Sequence, residues 1–289
     1  MYVALPGRRR RMGEGHTRVT SAAMRFYDNA NLVRTGEKIY AGQTDAAYWN
    51  AVGPFGGWIA AVFLRCIALE TGGTGDPLTL SVNFAGPMEQ GTFTVRLREL
   101  RANRSTTFWS AELLQPKDDT AGLCAFATVV IARRRESPSF AETVAPEMAA
   151  PEDLPRFTPP VPAEFLKRLD LRFVRDGYFP KLVDEAVVMW ARALDSDAMD
   201  YETLAAICDS GMPQIFLRIK RPLPVSSVTL NVFFHAKRTD LETIGEEFVL
   251  TASRMRAAAN GYFDETTLVW NRAGMLLATT EQIVWFKAS

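Results

Sequence analysis

The stretch LTLSVNF (residues 78–84) returns in altered form as VTLNVFF (residues 228–234), 150 positions further along the chain. Both stretches combine β-branched and aromatic residues with a partly alternating polar pattern, which is typical of β-strands. A recurrence at a fixed spacing indicates that one structural unit is used twice.

The segments that follow these two strands also correspond. Each is followed by a second extended run, GTFTVRLREL (91–100) or EEFVLTASRMRAA (246–258). Each half then closes with a glycine and an apolar strand, GLCAFATVVIAR (122–133) or GMLLATTEQIVWFK (274–287), and these begin 152 positions apart. The near-constant spacing supports a duplicated unit.

A helix is predicted ahead of the strands in each half. PFGGWIAAVFLRCIALE (54–70) has apolar residues at helical spacing, and LAAICDSGMPQIFLRI (204–219) occupies the matching place. The tripeptide FLR occurs in both, 153 positions apart. The predicted unit is one helix followed by antiparallel strands.

These segments predict the division of the chain. A proline-rich linker at 138–162 separates an N-terminal unit (24–137) from a C-terminal unit (163–289). Residues 1–23 are rich in arginine and nearly free of acidic residues, and they lack the apolar core of a secretory signal. We expect these residues to form a flexible extension. The alternatives are a targeting segment and an upstream start, with Met24 as the natural beginning.

A helix lying across a curved antiparallel sheet is the hotdog arrangement. Two such units in tandem predict an α+β double hotdog, in which both sheets join into one continuous sheet. The alternative, two unrelated α+β domains, is disfavoured by the near-constant spacing of the repeated segments.

Composition excludes several classes of protein. The chain has 289 residues, 47% of them hydrophobic, which is ordinary for a globular protein. Because 33 basic residues balance 33 acidic ones, its net charge does not attract it to nucleic acid or anionic membranes. No apolar run approaches the ~20 residues of a membrane helix. An odd number of cysteines (Cys66, Cys124 and Cys208) in apolar contexts argues against disulfides or a zinc site. We expect a cytoplasmic protein without a metal.

Several motifs, in their order and spacing, carry a family resemblance: FGGWIAA (55–61), SVNFAGPMEQG (81–91), CDSG (208–211), SSVTLNVFFHA (226–236) and LLATTEQ (276–282). From about Tyr40 to Lys287 the chain resembles the double-hotdog acyl-CoA thioesterases of the thioesterase II type. The resemblance implies hydrolysis of acyl-CoA to free acid and coenzyme A, without a metal or redox cofactor.

The resemblance also implies the site residues. Thioesterases of this type carry an Asp near the second helix, a Thr or Ser at the start of the next strand and a Gln on the last strand. These roles fall on Asp209, Ser227 and Gln282. Ser226 and Thr229 remain alternatives for the hydroxyl, although alignment through NVFFHA favours Ser227.

Thioester hydrolysis needs a positioned water, a proton acceptor and donors for the developing oxyanion. Asp209 can accept the proton, while Ser227 and the amide of Gln282 can hold the water. Backbone N–H groups at the start of the first helix, near Gly57, can polarise the carbonyl, and glycine lets substrate approach closely. The predicted substrate-binding residues are Phe55, Gly56, Gly57 and Trp58.

The repeat offers a second line of evidence. At the spacings 153, 150 and 152, the three site residues align with residues that carry no polar side chain: Gly56, Pro77 and Val130. Duplication followed by divergence predicts that one copy keeps the catalytic side chains while the other supplies backbone and pocket wall.

Simpler interpretations exist for each residue. Asp209 can be a helix cap or turn acid, Ser227 a polar strand start, and Gln282 an exposed strand residue. The two glycines can serve helix packing alone.

Other functions have less support. The histidines, His16 and His235, form no metal cluster, and no GxSxG elbow is present. A hotdog hydratase would need an Asp and His pair. A non-catalytic acyl-CoA or lipid-binding double hotdog is the competing hypothesis. Because hotdog sheets associate through edges and faces, we expect a homo-oligomer.

Overall fold

The computed structural model describes residues 27–117, 120–158, 163–176 and 179–287. The predicted extension at residues 1–23 lies outside the described residues. Every strand pair within the described ranges is antiparallel.

The first unit places one long helix between a short hairpin and four consecutive long strands. The hairpin ahead of the helix was not predicted from the sequence. The elements are β1 (Val33–Gly36), β2 (Ile39–Gln43), α1 (Gly56–Thr71), β3 (Asp76–Phe84), β4 (Thr92–Ala102), β5 (Thr106–Lys117) and β6 (Thr120–Ala132).

The second unit repeats this order with additional short elements. Strand β11 again precedes the helical segment, and four longer strands carry the sheet. The elements are β7 (Leu169–Arg172), β8 (Arg175–Asp176), β9 (Phe179–Pro180), β10 (Leu182–Val183), β11 (Ala186–Ala193), α2 (Tyr201–Cys208), α3 (Gln214–Ile219), β12 (Val225–Phe234), α4 (Arg238–Glu242), β13 (Val249–Arg254), β14 (Ala258–Ala259), β15 (Tyr262–Trp270) and β16 (Leu276–Phe286).

The two units share one sheet. Its strand order is β1-β2-β4-β5-β6-β3-β12-β16-β15-β13-β11-β10, so β3 and β12 join the units at the centre. Ser81 pairs with Asn231, its own counterpart at a spacing of 150, which places a local two-fold axis at this pair. The predicted double hotdog with a continuous sheet is confirmed.

A shared irregularity confirms the spacing of the central strands. In β3 the register against β6 shifts between Pro77 and Thr79, and in β12 the register against β16 shifts between Ser227 and Thr229. The bulged residues, Leu78 and Val228, are 150 positions apart. The two halves therefore share this bulge as well as the strand pattern.

The single helix predicted at residues 204–219 is wrong. The structure has two short helices, α2 and α3, separated by residues 209–213. Gly211 favours a break through its backbone freedom, and Pro213 directly before α3 lacks the N–H group that a continuous helix would need. Asp200 caps α2 by accepting a hydrogen bond from the Thr203 N–H.

Helix α1 lies in the core and contacts α2 at very short range. A Cβ on Gly57 would lie 2.7 Å from the carbonyl oxygen of Ala206 and 2.5 Å from Cζ of Phe55. Only a residue without a side chain permits this approach of the two helices.

We therefore expect Gly57→Ala to destabilise the protein by roughly 1–3 kcal/mol, because the added methyl group overpacks the helix contact. Urea unfolding monitored by circular dichroism measures this loss. Gly72→Ala is the comparison variant for backbone strain without overpacking. Gly72 has φ +63°, which strains any side chain, but no atom lies within 4 Å of an added Cβ. Destabilisation by Gly57→Ala of less than 0.5 kcal/mol, on the order of a neutral surface change, would contradict the packing interpretation.

Candidate active site

The three predicted site residues lie together at one end of α2. Asp209 caps the C-terminus of α2, and its carboxylate accepts hydrogen bonds from the Gln282 side-chain amide and the Gly57 backbone N–H. The Ser227 hydroxyl donates to Oε1 of Gln282 over 3.4 Å. Since all three side chains border the same cavity, the cap and strand interpretations describe their local structure without explaining their convergence.

The alternation of β16 directs Gln282 inward. Its neighbours Glu281 and Ile283 are exposed on the outer face, whereas the Gln282 side chain is only 8% exposed. An inward polar side chain on a buried strand face needs partners, and Asp209 and Ser227 supply them.

The structure distinguishes the candidate hydroxyls. Ser226 is exposed, and Oγ1 of Thr229 accepts the Ile283 backbone N–H within the bulged region. Ser227 forms the hydrogen bond to Gln282. Ser226 also borders the cavity, but among the three candidates Ser227 is the one whose hydroxyl binds another predicted site residue.

The environment of Asp209 favours its neutral form more than water would. Burial raises the pKa of Asp209 to about 7, and the hydrogen bonds from Gly57 and Gln282 oppose part of this rise. A carboxyl that ionises near neutral pH is well matched to accepting a proton during catalysis.

The repeat alignment of two site residues needs correction. Helices α1 and α2 begin 145 positions apart, which aligns Asp209 with the buried Leu64. Because Val129 pairs with Leu80 as Gln282 pairs with Leu230, Gln282 corresponds to Val129 rather than Val130. Ser227 still corresponds to Pro77.

Gly56 lies against Asp209 instead of occupying the equivalent position. A Cβ on Gly56 would be 2.7 Å from Oδ2 of Asp209. The counterparts of the site residues in the first unit are nonetheless apolar.

A cavity of about 770 Å³ opens beside these side chains. Its volume falls within the range of small-molecule sites, roughly 300–1,000 Å³. Phe55 and Gly56 line it as predicted, and Phe55 stacks on Phe165 with ring centroids 4.1 Å apart. The remaining wall is mainly apolar and includes Ile59, Phe84, Met88, Phe157, Phe173 and Phe216.

Comparison with known families agrees with this geometry. Residues 45–132 match the model of the acyl-CoA thioesterase N-terminal domain, and residues 142–286 match that of the C-terminal domain. The chain belongs to the acyl-CoA thioesterase family.

Solved structures share the fold of this protein. A conserved protein of unknown function with a hotdog fold from Alicyclobacillus acidocaldarius is 36% identical, with TM-score 0.84, over 91% of this chain and 98% of the other. Acyl-CoA thioesterase II TesB2 from Mycobacterium marinum is 17% identical, with TM-score 0.71, over 90% and 97%. A search of curated proteins finds no significant match.

The same fold also occurs in the dehydratase domain of RzxB from Pseudomonas fluorescens, with 10% identity and TM-score 0.52 over 86% of this chain and 94% of the other. Fold alone therefore does not decide the reaction. In this protein His235 lies beside Thr279, with Nε2 3.2 Å from Oγ1, and no histidine borders the cavity within the described ranges. The Asp and His pair of a hydratase is thus absent from the described part of the cavity.

Two predicted substrate-binding residues have other roles in the structure. Trp58 is fully buried in the core, where its ring packs edge-on against Phe93 with centroids 5.8 Å apart, and it does not border the cavity. The N–H of Gly57 acts on Asp209 as a hydrogen-bond donor and lowers its pKa.

Sequence reasoning missed one polar residue of the cavity. Glu265 on β15 pairs directly with Gln282 on β16 and is only 3% exposed. The alternation of FDETTLVW (263–270), with Phe263 and Val269 inward, was the signal that would have placed Glu265 on the inner face.

Two further searches covered only the described residues. No group of three or more His, Cys, Asp or Glu side chains there is arranged to hold a metal ion. No helix among them is long and apolar enough to cross a membrane.

Proposed function

We propose that the protein hydrolyses acyl-CoA to a free carboxylic acid and coenzyme A by direct attack of water, with Asp209 as general base. The observation that carries the proposal is the chain of contacts from Ser227 through Gln282 to Asp209 at the edge of an apolar cavity. The family membership supports the same class of reaction.

In the proposed reaction the ionised Asp209 takes a proton from a water molecule as the water oxygen bonds to the thioester carbon. The tetrahedral intermediate then collapses, the C–S bond breaks, and the coenzyme A thiolate regains a proton. Gln282 and Ser227 fix the orientation of the base and of the water. Water is the only co-substrate.

The carbonyl oxygen needs a donor as negative charge develops on it. Gly56 is the first residue of α1, where backbone N–H groups have no partner within the helix, and it lines the cavity next to Asp209. The positive end of the dipole of this 16-residue helix points toward the same place. We assign the Gly56 N–H as the oxyanion donor, in place of the Gly57 N–H.

The apolar walls of the cavity suit the acyl chain. Phe84, Phe157 and Phe216 come from three separate parts of the chain and surround space large enough for a drug-sized ligand. Burial of acyl methylene groups there contributes about 0.8 kcal/mol each. The substrate class is therefore an acyl-CoA with an apolar acyl group.

Steady-state release of coenzyme A, followed with a thiol reagent, tests the proposal across acyl chain lengths from acetyl to palmitoyl. We expect hydrolysis that depends on chain length. A protein that binds acyl-CoA in calorimetry but releases no coenzyme A at any length would be a non-catalytic binder, and the proposal would fail.

The two adjacent serines give a matched test of the water-holding hydroxyl. We expect Ser227→Ala to lower kcat by about fivefold, because Gln282 loses a hydrogen-bond partner worth roughly 1 kcal/mol. Ser226→Ala should stay within about twofold of wild type, because a 0.5 kcal/mol surface effect is typical. Equal kinetics for the two variants would remove Ser227 from the mechanism.

A further inference from the structure

Glu265 is a second buried carboxyl in the cavity, and the proposed reaction does not use it. Its Oε2 accepts the backbone N–H of Gln214, the first residue of α3, over 3.2 Å. Its Oε1 faces the turn between α2 and α3, because a Cβ on Gly211 would lie 3.2 Å from this oxygen. Glu265 thus ties that turn, which begins at Asp209, to β15.

The residue that Glu265 holds is itself clamped to the sheet. The Gln214 side-chain amide donates to the Ser253 carbonyl oxygen, and its Oε1 accepts the Met255 backbone N–H over 3.0 Å. Displacement of Glu265 would therefore free one of three contacts that position this turn.

The neighbours of Glu265 come from every element packed against it. Gln282 faces it from β16, Asp209 from the end of α2 and Gln214 from α3. Polar hydroxyls of β13 and β15 lie nearby, since Oγ of Ser253 is 3.4 Å from the same Gly211 Cβ position and 2.8 Å from Oγ1 of Thr267.

The charged groups that act on Glu265 are acidic. Asp209 and Asp264 both oppose its ionisation. Asp264 itself binds the backbone N–H groups of Arg256 and Ala257. Two ionised carboxylates in one buried site repel one another, so the ionisation of either opposes that of the other.

We propose that Glu265 is a positioning residue of the hydrolytic centre, which in its protonated form holds the α2–α3 turn and leaves Asp209 as the only negative charge beside the reacting carbonyl. This inference rests on the proposed function. Ionisation of Glu265 would add a second negative charge where an oxyanion and a thiolate must form, and would slow both steps.

The direction of the pH effect follows from the two carboxyls. The pKa of Asp209 is raised to about 7 and that of Glu265 to about 8, in both cases mainly by burial. The active form, with Asp209 ionised and Glu265 neutral, is most populated between these values. Activity therefore rises through about pH 7 and falls above about pH 8, giving a bell-shaped profile.

The test compares kcat/KM for coenzyme A release from pH 6 to 10 in wild type and Glu265→Gln. Glutamine keeps an acceptor for the Gln214 N–H but cannot ionise. At pH 9 we expect Glu265→Gln to exceed wild type about tenfold, because one pH unit above a pKa leaves about a tenth of a group protonated. Glu281→Gln is the matched control, since Glu281 precedes Gln282 on β16 and is exposed.

Infrared difference spectroscopy gives a readout that does not depend on turnover. Wild type should lose a protonated-carboxyl C=O band as the pH is raised through about 8, and Glu265→Gln should lack that change. Superimposable alkaline limbs in wild type and Glu265→Gln, or no such band, would overturn the role of Glu265 while leaving hydrolysis intact. Absence of coenzyme A release by wild type would overturn the proposed function as well.

Discussion

Asp209→Asn is expected to lower kcat/KM for acyl-CoA hydrolysis by about 10³. Asparagine keeps the size of the side chain but cannot accept a proton from water, and general-base catalysis is worth roughly 10²–10⁴ in rate. The contacts of Asp209 with Gln282 and the Gly57 N–H make it the base of the proposed mechanism.

Stability provides the control for Asp209→Asn. Folding raises the pKa of Asp209 from 3.8 to about 7, so its contribution to stability is present below pH 4 and is lost as the pH rises through 7. At pH 8 the free energy of unfolding of the variant should therefore exceed that of wild type by roughly 2–4 kcal/mol. Its melting temperature should be correspondingly higher. A more stable variant with activity within tenfold of wild type would exclude Asp209 as the base.

Gln282→Ala is expected to lower kcat/KM by about 10², comparable to the loss of one oriented donor in other active sites. The variant removes the amide that donates to Asp209 and the oxygen that accepts from Ser227. Because a donated hydrogen bond stabilises the carboxylate, its loss raises the pKa of Asp209 further, and the acid limb of the pH profile should move to higher pH.

Glu281→Ala is the matched truncation for Gln282→Ala. Glu281 is the preceding residue on β16, but its side chain is exposed on the opposite face of the sheet. The outer-face variant should retain wild-type kinetics. If the two variants were equally active, or if the acid limb stayed in place in Gln282→Ala, the amide would not act on Asp209.

The sequence predicts the architecture well because the repeated strands carry it. The spacing between LTLSVNF and VTLNVFF places β3 and β12 as equivalent strands, and even the shared bulge keeps that spacing. Such periodic apolar patterns record which face of a strand is buried. The short hairpin β1–β2 and the strand β11 escaped prediction because they lie outside the segments that repeat in sequence.

The convergence of the site residues could be predicted only through the family resemblance. Asp209 and Gln282 are 73 positions apart in the sequence, and nothing local indicates that a turn after α2 meets the inner face of β16. The proposal of the Gly56 N–H, in place of the neighbouring Gly57 N–H, as the oxyanion donor depends on the directions of single backbone N–H groups, which sequence spacing does not resolve. Glu265 was missed because its partner is a backbone N–H on another element.

The proposed hydrolytic mechanism depends most on Asp209 ionising near neutral pH and then serving as the base. The pH dependence of kcat/KM for coenzyme A release by wild type between pH 5 and 8 measures this directly. We expect the rate to increase about tenfold per pH unit up to about pH 7, as the ionisation of an essential carboxylate requires. A rate that does not change between pH 5 and 7 would contradict the role of Asp209 as the base.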